Sequence, residues 1–217
     1  MPIIVNQSAA PVGFTLSTLK QSIANRLGRN SLSNMLGEFI TYGEARIYNG
    51  FRDLDVSVDP LRIRPMLAAE TASLSSLPDG FLSVERVTVP DGSGASPSLA
   101  YLTPQEFSNL LPGGGSPRYY TIADGVVQVE GGQPKQFTLS YYRRFMPLAG
   151  DNDTNWLLQN APQVYLYSVL IEAYQHVRDD VHAISAARQY AAAINALLYA
   201  DQVERFSGST LTIGNSR

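Results

Sequence analysis

The hydrophobic period of this chain changes twice, and that limits the folds open to it. Apolar residues recur at three-to-four spacing near the N-terminus, alternate through the middle, and return to three-to-four spacing before the C-terminus. Helices, then strands, then helices predict an α+β fold. The N- and C-terminal helices should form one helical bundle, with a small antiparallel β domain inserted between them.

Residues 1–14 read as an extended N-terminal arm without helical period. Residues 15–58 hold the N-terminal helices of the bundle. The first starts at a Thr15 or Ser17 cap and stops at Gly28, with Leu16, Leu19, Ile23 and Leu27 on one face. The second begins near Ser31 or Ser33. Its stripe is Leu36, Phe39 or Ile40, Gly43 and Ile47, with Glu38, Glu44 and Arg46 turned elsewhere, and it fades at Asn49-Gly50.

Residues 59–148 form the β domain. FLSVERVTV, from Phe81 to Val89, alternates with an interruption at Glu85-Arg86, and QFTLSYY, from Gln136 to Tyr142, alternates more cleanly. Pro78-Asp79-Gly80, Asp124-Gly125 and Gly131-Gly132 mark turns. Thr103-Pro104-Gln105-Glu106 combines an N-cap, a first-turn Pro and a capping-box Glu, so a short helix to Leu110 interrupts the strands.

Residues 149–202 form a C-terminal helical hairpin. Its first helix, from Pro162, is apolar nearly all round, and Arg178-Asp179-Asp180 breaks it. The last helix carries a seam of Ile184, Ala187, Ala191, Ile194 and Leu198, and its small residues admit a close partner. Residues 203–217 are a Gly/Ser-rich tail with an alternating apolar trio, Phe206, Leu211 and Ile213, expected to order only against a partner.

Composition narrows the function classes. The chain has no cysteine, which excludes disulfides and thiolate chemistry. It is 44% hydrophobic but only 16% charged, a surface that repels its neighbours weakly. The formal net charge is −3 and the only lysines are Lys20 and Lys135, so the clustered cations that grip phosphates are missing. No stretch has the roughly 20 apolar residues of a membrane span, and no membrane partner is expected. The N-terminus has neither the basic start nor the apolar core of a signal peptide.

Each motif that starts like chemistry fails at a definite position. Asp151-Asn152-Asp153-Thr154-Asn155 opens like a calcium loop, which needs Gly sixth and Glu twelfth, but Trp156 and Pro162 stand there. It reads instead as a turn-capping loop. Pro112 to Pro117 is Gly-rich without the Lys-Ser/Thr of a phosphate loop, and Asp91 to Gly94 lacks the spacing of a nucleophile elbow. His176 and His182 are six apart, without metal-ligand spacing. Asp179-Asp180 suits a helix cap better than acid–base work. No catalytic residue, metal or cofactor is expected. Twelve tyrosines include Tyr119, Tyr165 and Tyr167, candidates for inter-subunit contacts. The same residues also suit sheet and core positions with satisfied hydroxyls.

Five segments, in this order, carry a family resemblance: FITYGEARI from Phe39 to Ile47, YLTPQEF from Tyr101 to Phe107, SPRYYTI from Ser116 to Ile122, FTLSYYR from Phe137 to Arg143, and NDTNWLLQNAPQVYLY from Asn152 to Tyr167. With them the chain resembles bacteriophage head-to-tail adaptor (connector) proteins over roughly residues 15 to 200. In the last segment Asn155, Trp156, Leu157, Leu158, Asn160 and Pro162 are read as a fold-linking loop. Trp156, Leu157 and Leu158 form an apolar plug that locks sheet to helix, and Asn160 caps the helix begun by Pro162.

The resemblance implies a structural virion protein without enzymatic activity, assembled in the host cytoplasm and located at the head-tail junction. Its copies would form a homo-oligomeric ring, usually dodecameric, docked on the portal protein. The ring would extend the channel, pass DNA without specific binding, and present a platform for the next neck or tail protein. A stopper or tail-completion protein is the neighbouring alternative. A β-rich binding module or hydrolase using Asp151, Asp153 and Glu106 is the alternative from another class.

Overall fold

The computed structural model describes residues 13–28, 30–72, 76–90, 96–110, 115–131 and 136–206. The two termini, with Leu211 and Ile213, and most of both Gly-rich connections lie outside them. The fold is α+β and divides into two compact units. One takes the described residues up to Arg62 and those from Phe145 on, and the other is Ile63–Arg144.

In the helical unit, α1 spans Leu16–Leu27. Thr15 caps it through a reciprocal box with Thr18, and Gly28, at φ 60°, ends it with its N–H on the Ala24 carbonyl. That left-handed cap strongly favours glycine. A 3₁₀ turn over Asn30–Met35 replaces the expected start of the second helix, and α2 runs Leu36–Asn49. Leu36, Phe39, Ile40, Gly43 and Ile47 are buried together. Gly43 is needed for close packing: a Cβ there would lie 2.8 Å from the Ser168 Oγ.

A hairpin that the sequence reading left out follows, with β1 at Phe51–Asp53 and β2 at Val56–Val58. Leu54 and Asp55 both hold positive φ (51° and 59°), the two-residue turn that matches strand twist. Three-residue strands are too short for alternation to be recognised. The unit is completed by α4 (Trp156–Asn160), α5 (Pro162–His176) and α6 (Asp180–Phe206); α3 belongs to the other unit. Helix α5 is its centre, burying Val164, Tyr165, Val169, Leu170, Ile171 and Ala173. Arg178, at φ 58°, makes the turn to α6, whose Ala183, Ala186, Ala187, Tyr190 and Ile194 are buried. Asp179 accepts from the His182 N–H, as the capping reading expected.

The β unit holds β3 (Leu67–Ala72), β4 (Phe81–Thr88), β5 (Ala100–Tyr101), α3 (Pro104–Ser108), β6 (Tyr119–Ala123), β7 (Val126–Val129) and β8 (Phe137–Arg143). One antiparallel sheet has the order β3-β8-β4 and the other β5-β6-β7. The β5–β6 pairing is parallel, a departure from the all-antiparallel expectation. Val87, Phe137, Leu139 and Tyr141 from one sheet share a core with Tyr120, Val127 and Val129 from the other. The interruption at Glu85-Arg86 is a register shift between Val84 and Arg86, as a β-bulge produces. The Thr103–Glu106 box begins α3 as the sequence predicts.

Both chain segments that connect to the β unit are fastened to Tyr48 inside the helical unit. The Arg62 guanidinium donates to the Tyr48 carbonyl at 3.1 Å, and the Phe145 N–H donates to the Tyr48 hydroxyl at 3.2 Å.

Candidate functional site

The Asn155–Pro162 segment is built around one side chain. Asn155 is the N-cap of α4, its Oδ1 accepting from the Leu158 N–H at 2.9 Å. Its Nδ2 donates to the Met146 carbonyl at 3.0 Å and to the Tyr165 hydroxyl at 2.9 Å. The Tyr165 hydroxyl in turn donates to the Glu44 carboxylate at 3.2 Å. One buried amide therefore fastens α4, the segment before it, and α5, which in turn reaches α2. Burial, reinforced by nearby Tyr48 and Glu44, pushes the Tyr165 phenol well above its ordinary value.

Asn160 does not cap α5. It ends α4, is exposed, and donates to the Trp156 carbonyl. Ala161 holds the capping position of α5 without a side-chain bond, and Pro162 is in its first turn. Because α4 is itself a helical turn, the cap lies five residues earlier, at Asn155. Leu157 and Leu158 are fully buried, and Trp156 stacks on Phe145 with ring centroids 5.8 Å apart.

Arg46, expected to turn away from the core, is buried instead. Its guanidinium donates to the Ser168 carbonyl, pairs with Glu172, and lies 4.5 Å from the centre of the Phe51 ring. An Arg one position before the buried Ile47 carries no sequence signal for this. Only the packing of α2, α5 and the missed hairpin creates the pocket.

Of the candidate inter-subunit tyrosines, Tyr165 is fully buried in its own chain, so none of its surface remains for a neighbour. Tyr119 and Tyr167 are half-buried, and Tyr167 lies under the Arg26 guanidinium at 5.6 Å. More exposed apolar side chains include Val181 and Tyr199 on α6, 77% and 69% exposed. From Asn195 to Arg205 that helix has no buried residue. Phe206 ends it, with its side chain outside the described set.

An open groove runs along α5. One end, of about 430 Å³, is lined by Phe14, Ser22, Arg26, Pro162, Leu166 and Tyr167. The next part, of about 340 Å³, shares Arg26 and Tyr167 and adds Tyr174, Ser185, Ala186 and Gln189. The far end shares Tyr174 and His182 and adds Leu27, Leu32 and Val177.

The three carboxylates of the hydrolase alternative have structural partners and fall in different units. Glu106 accepts from the Thr103 backbone and hydroxyl, and those bonds hold its carboxyl below the usual range. Asp153 accepts from the N–H groups of Gly150 and Ala149, which lower it likewise. Asp151 pairs with Lys20 at 2.8 Å. Among the described residues no group of three or more His, Asp or Glu is disposed as metal ligands, and no helix is long and apolar enough to cross a membrane.

The family model described as SU10 adaptor protein matches residues 14–213, almost the whole chain. No curated protein matches it.

Proposed function

Since the chain belongs to the SU10 adaptor protein family, and is thus a bacteriophage structural adaptor, we propose that its copies close into a ring, of twelve in the family's usual form, seated on the portal at the head-tail junction. The ring extends the DNA channel and docks the next neck or tail protein. Its work is structural, with no catalytic step, and it assembles in the host cytoplasm. The family match over residues 14–213 is the observation that carries this reading.

Several features of the molecule support it. The second half of α6 runs for eleven residues without a buried side chain while presenting Tyr199 and Val203. Such a helix gains by packing on another copy, and a heterologous contact repeated about an axis closes a ring. In the tail beyond it, Phe206, Leu211 and Ile213 are candidate anchors for a portal or neighbour, and Tyr119 and Tyr167 are further contact candidates. A low-charge, net-acidic chain suits a channel through which DNA slides without adhering.

Light scattering and negative-stain imaging of the purified chain, alone and with its portal, test the reading. Rings, or portal-bound rings, are expected. A protein that stays monomeric and binds no portal rejects it, and a chain that binds only an assembled neck points to the stopper role.

A further inference from the structure

The end of α6 and the groove beside α5 are complementary, and a single copy cannot join them. At about 100° per residue, Ala196, Tyr199, Ala200 and Val203 fall on one face of α6, and all four are exposed. Leu197 and Leu198 are half-buried and turned to the other side, so the stripe faces away from the helical unit. Glu204 flanks the stripe, while Asp201 and Arg205, paired with each other at 2.8 Å, lie behind it.

The groove is built like a protein-binding surface. Leu166, Leu170 and Ala186 make a buried apolar floor, and the polar Asn25, Gln163 and Gln189 stand exposed along the rim. An apolar floor inside a polar rim is the anatomy of an interface. At its centre Arg26 lies over the Tyr167 ring, and among the described residues its guanidinium meets no carboxylate or carbonyl. The one acid on the lining, Asp179, is bonded to His182 instead. Arg and Tyr are the residues that most often anchor interfaces, and a positioned cation with unused donors calls for an anionic occupant. One cation is too few to hold a phosphate backbone, so the anion belongs to a protein. The dimensions agree. Ala196 to Glu204 is about 12 Å of helix, as is the middle of the groove from Leu166 to Tyr174. Gln189, the last α6 residue on the groove, precedes Val203 by about 21 Å of the same continuous helix. The stripe is therefore carried away from its own groove, and the groove it fits is that of a second copy.

We propose that the exposed end of α6 in one copy seats in the α5 groove of the next. Tyr199 and Val203 cover the floor at Leu166 and Leu170, and the Glu204 carboxylate accepts from the Arg26 guanidinium. The inference rests on the ring reading and deepens it: each copy gives one helix end and receives another, a heterologous contact.

Arg26 and Glu204 are both exposed, so reversing either charge should leave the fold intact, which thermal melts check. The full-length variants are compared by light scattering and negative stain, alone and with the portal. Arg26→Glu and Glu204→Arg, each by itself, should raise the concentration needed for assembly about tenfold. Mixing the two variants in equal amounts should restore assembly, because every contact between unlike chains then joins opposite charges. Tyr199→Ala should weaken assembly by about tenfold or more. Rings that form as readily with Arg26→Glu as without it overturn the proposal and leave the ring reading standing. Loss in both single variants with no recovery on mixing overturns it too. If Arg26→Glu associates with itself normally but fails to bind the portal, the groove belongs to the portal and the proposal falls. An unaltered chain that neither associates nor binds the portal defeats the ring reading and the proposal together.

Discussion

The two units hold themselves together by different means. Of the four polar or charged residues buried in the described structure, Arg46, Asn155 and Ser168 belong to the helical unit, and Thr121 alone belongs to the β unit. The helical unit is assembled from two stretches separated by the β insertion, and side-chain hydrogen bonds reach from one to the other: Arg46 to the Ser168 carbonyl, Tyr165 to Glu44. The β unit is one continuous stretch, and its ladders around β8 already satisfy its backbone, so its interior can be apolar. A unit whose register is set by ladders needs no buried polar fasteners, whereas packed helices can slide and rotate unless something fixes them. Here the fixing groups are a guanidinium and an amide.

The largest effect should follow from breaking the guanidinium clamp. Arg46→Met leaves Glu172 and the Ser168 carbonyl without their partner, and a loss of about 3–5 kcal/mol is expected. Urea unfolding followed by circular dichroism measures it. In the β unit the comparable loss comes from an apolar truncation: Phe137→Ala, at a fully buried position, should cost about 3–4 kcal/mol through the cavity it leaves. If Arg46→Met cost no more than a surface change, the contrast between the units would collapse.

Asn155→Ala removes the α4 cap and two further hydrogen bonds at once, and about 2 kcal/mol should be lost. Asn155→Asp keeps the capping oxygen but cannot donate to Met146 and Tyr165, so a smaller loss separates capping from fastening. Acid sharpens the comparison differently. Glu106 in the β unit and Asp153 in the helical unit both have carboxyls lowered by the hydrogen bonds they accept. Their stabilisation is present above the unfolded carboxylate values and is lost as pH falls through the lower folded ones. A stability profile from neutral to acid pH should fall in that window, and Glu106→Gln together with Asp153→Asn should flatten it.

The smallest effect is expected at Tyr190, whose hydroxyl is buried without a hydrogen-bond partner among the described residues. Tyr190→Phe removes a desolvated hydroxyl and keeps the ring against Phe51, so stability should be unchanged or rise by up to about 1 kcal/mol. Tyr165→Phe, at an equally buried ring whose hydroxyl is bonded, should instead destabilise, and thermal melts of the two variants side by side give the sign.

What could be read from the sequence followed from local rules. The Thr15 and Thr103 capping positions, the Gly28 stop, the bulge at Glu85-Arg86 and the break at Arg178-Asp180 each depend on residues a few positions apart. Their backbone consequences are therefore visible without the rest of the chain. The nearly all-round apolar character of α5 was legible for the same reason. The hairpin over Phe51–Val58 was not, because two short strands joined by Leu54 and Asp55 carry none of the usual turn residues in their usual order. Asn160 was misjudged because Asn-Ala-Pro is a good local cap, and only the presence of α4 moves the cap to Asn155.

By itself, then, the sequence determined the order of helices, strands and helices, the positions of several caps and turns, and the lack of any recognisable catalytic motif. Tertiary structure alone decided that Arg46 lies inside, that Tyr165 is internal, and that α1, α5 and α6 leave an open groove between them. Capping and periodicity are interactions among neighbours in the chain. The burial of a charge or a tyrosine depends on partners more than a hundred residues away, such as Arg46 with Ser168, and becomes known only when the chain has closed on itself.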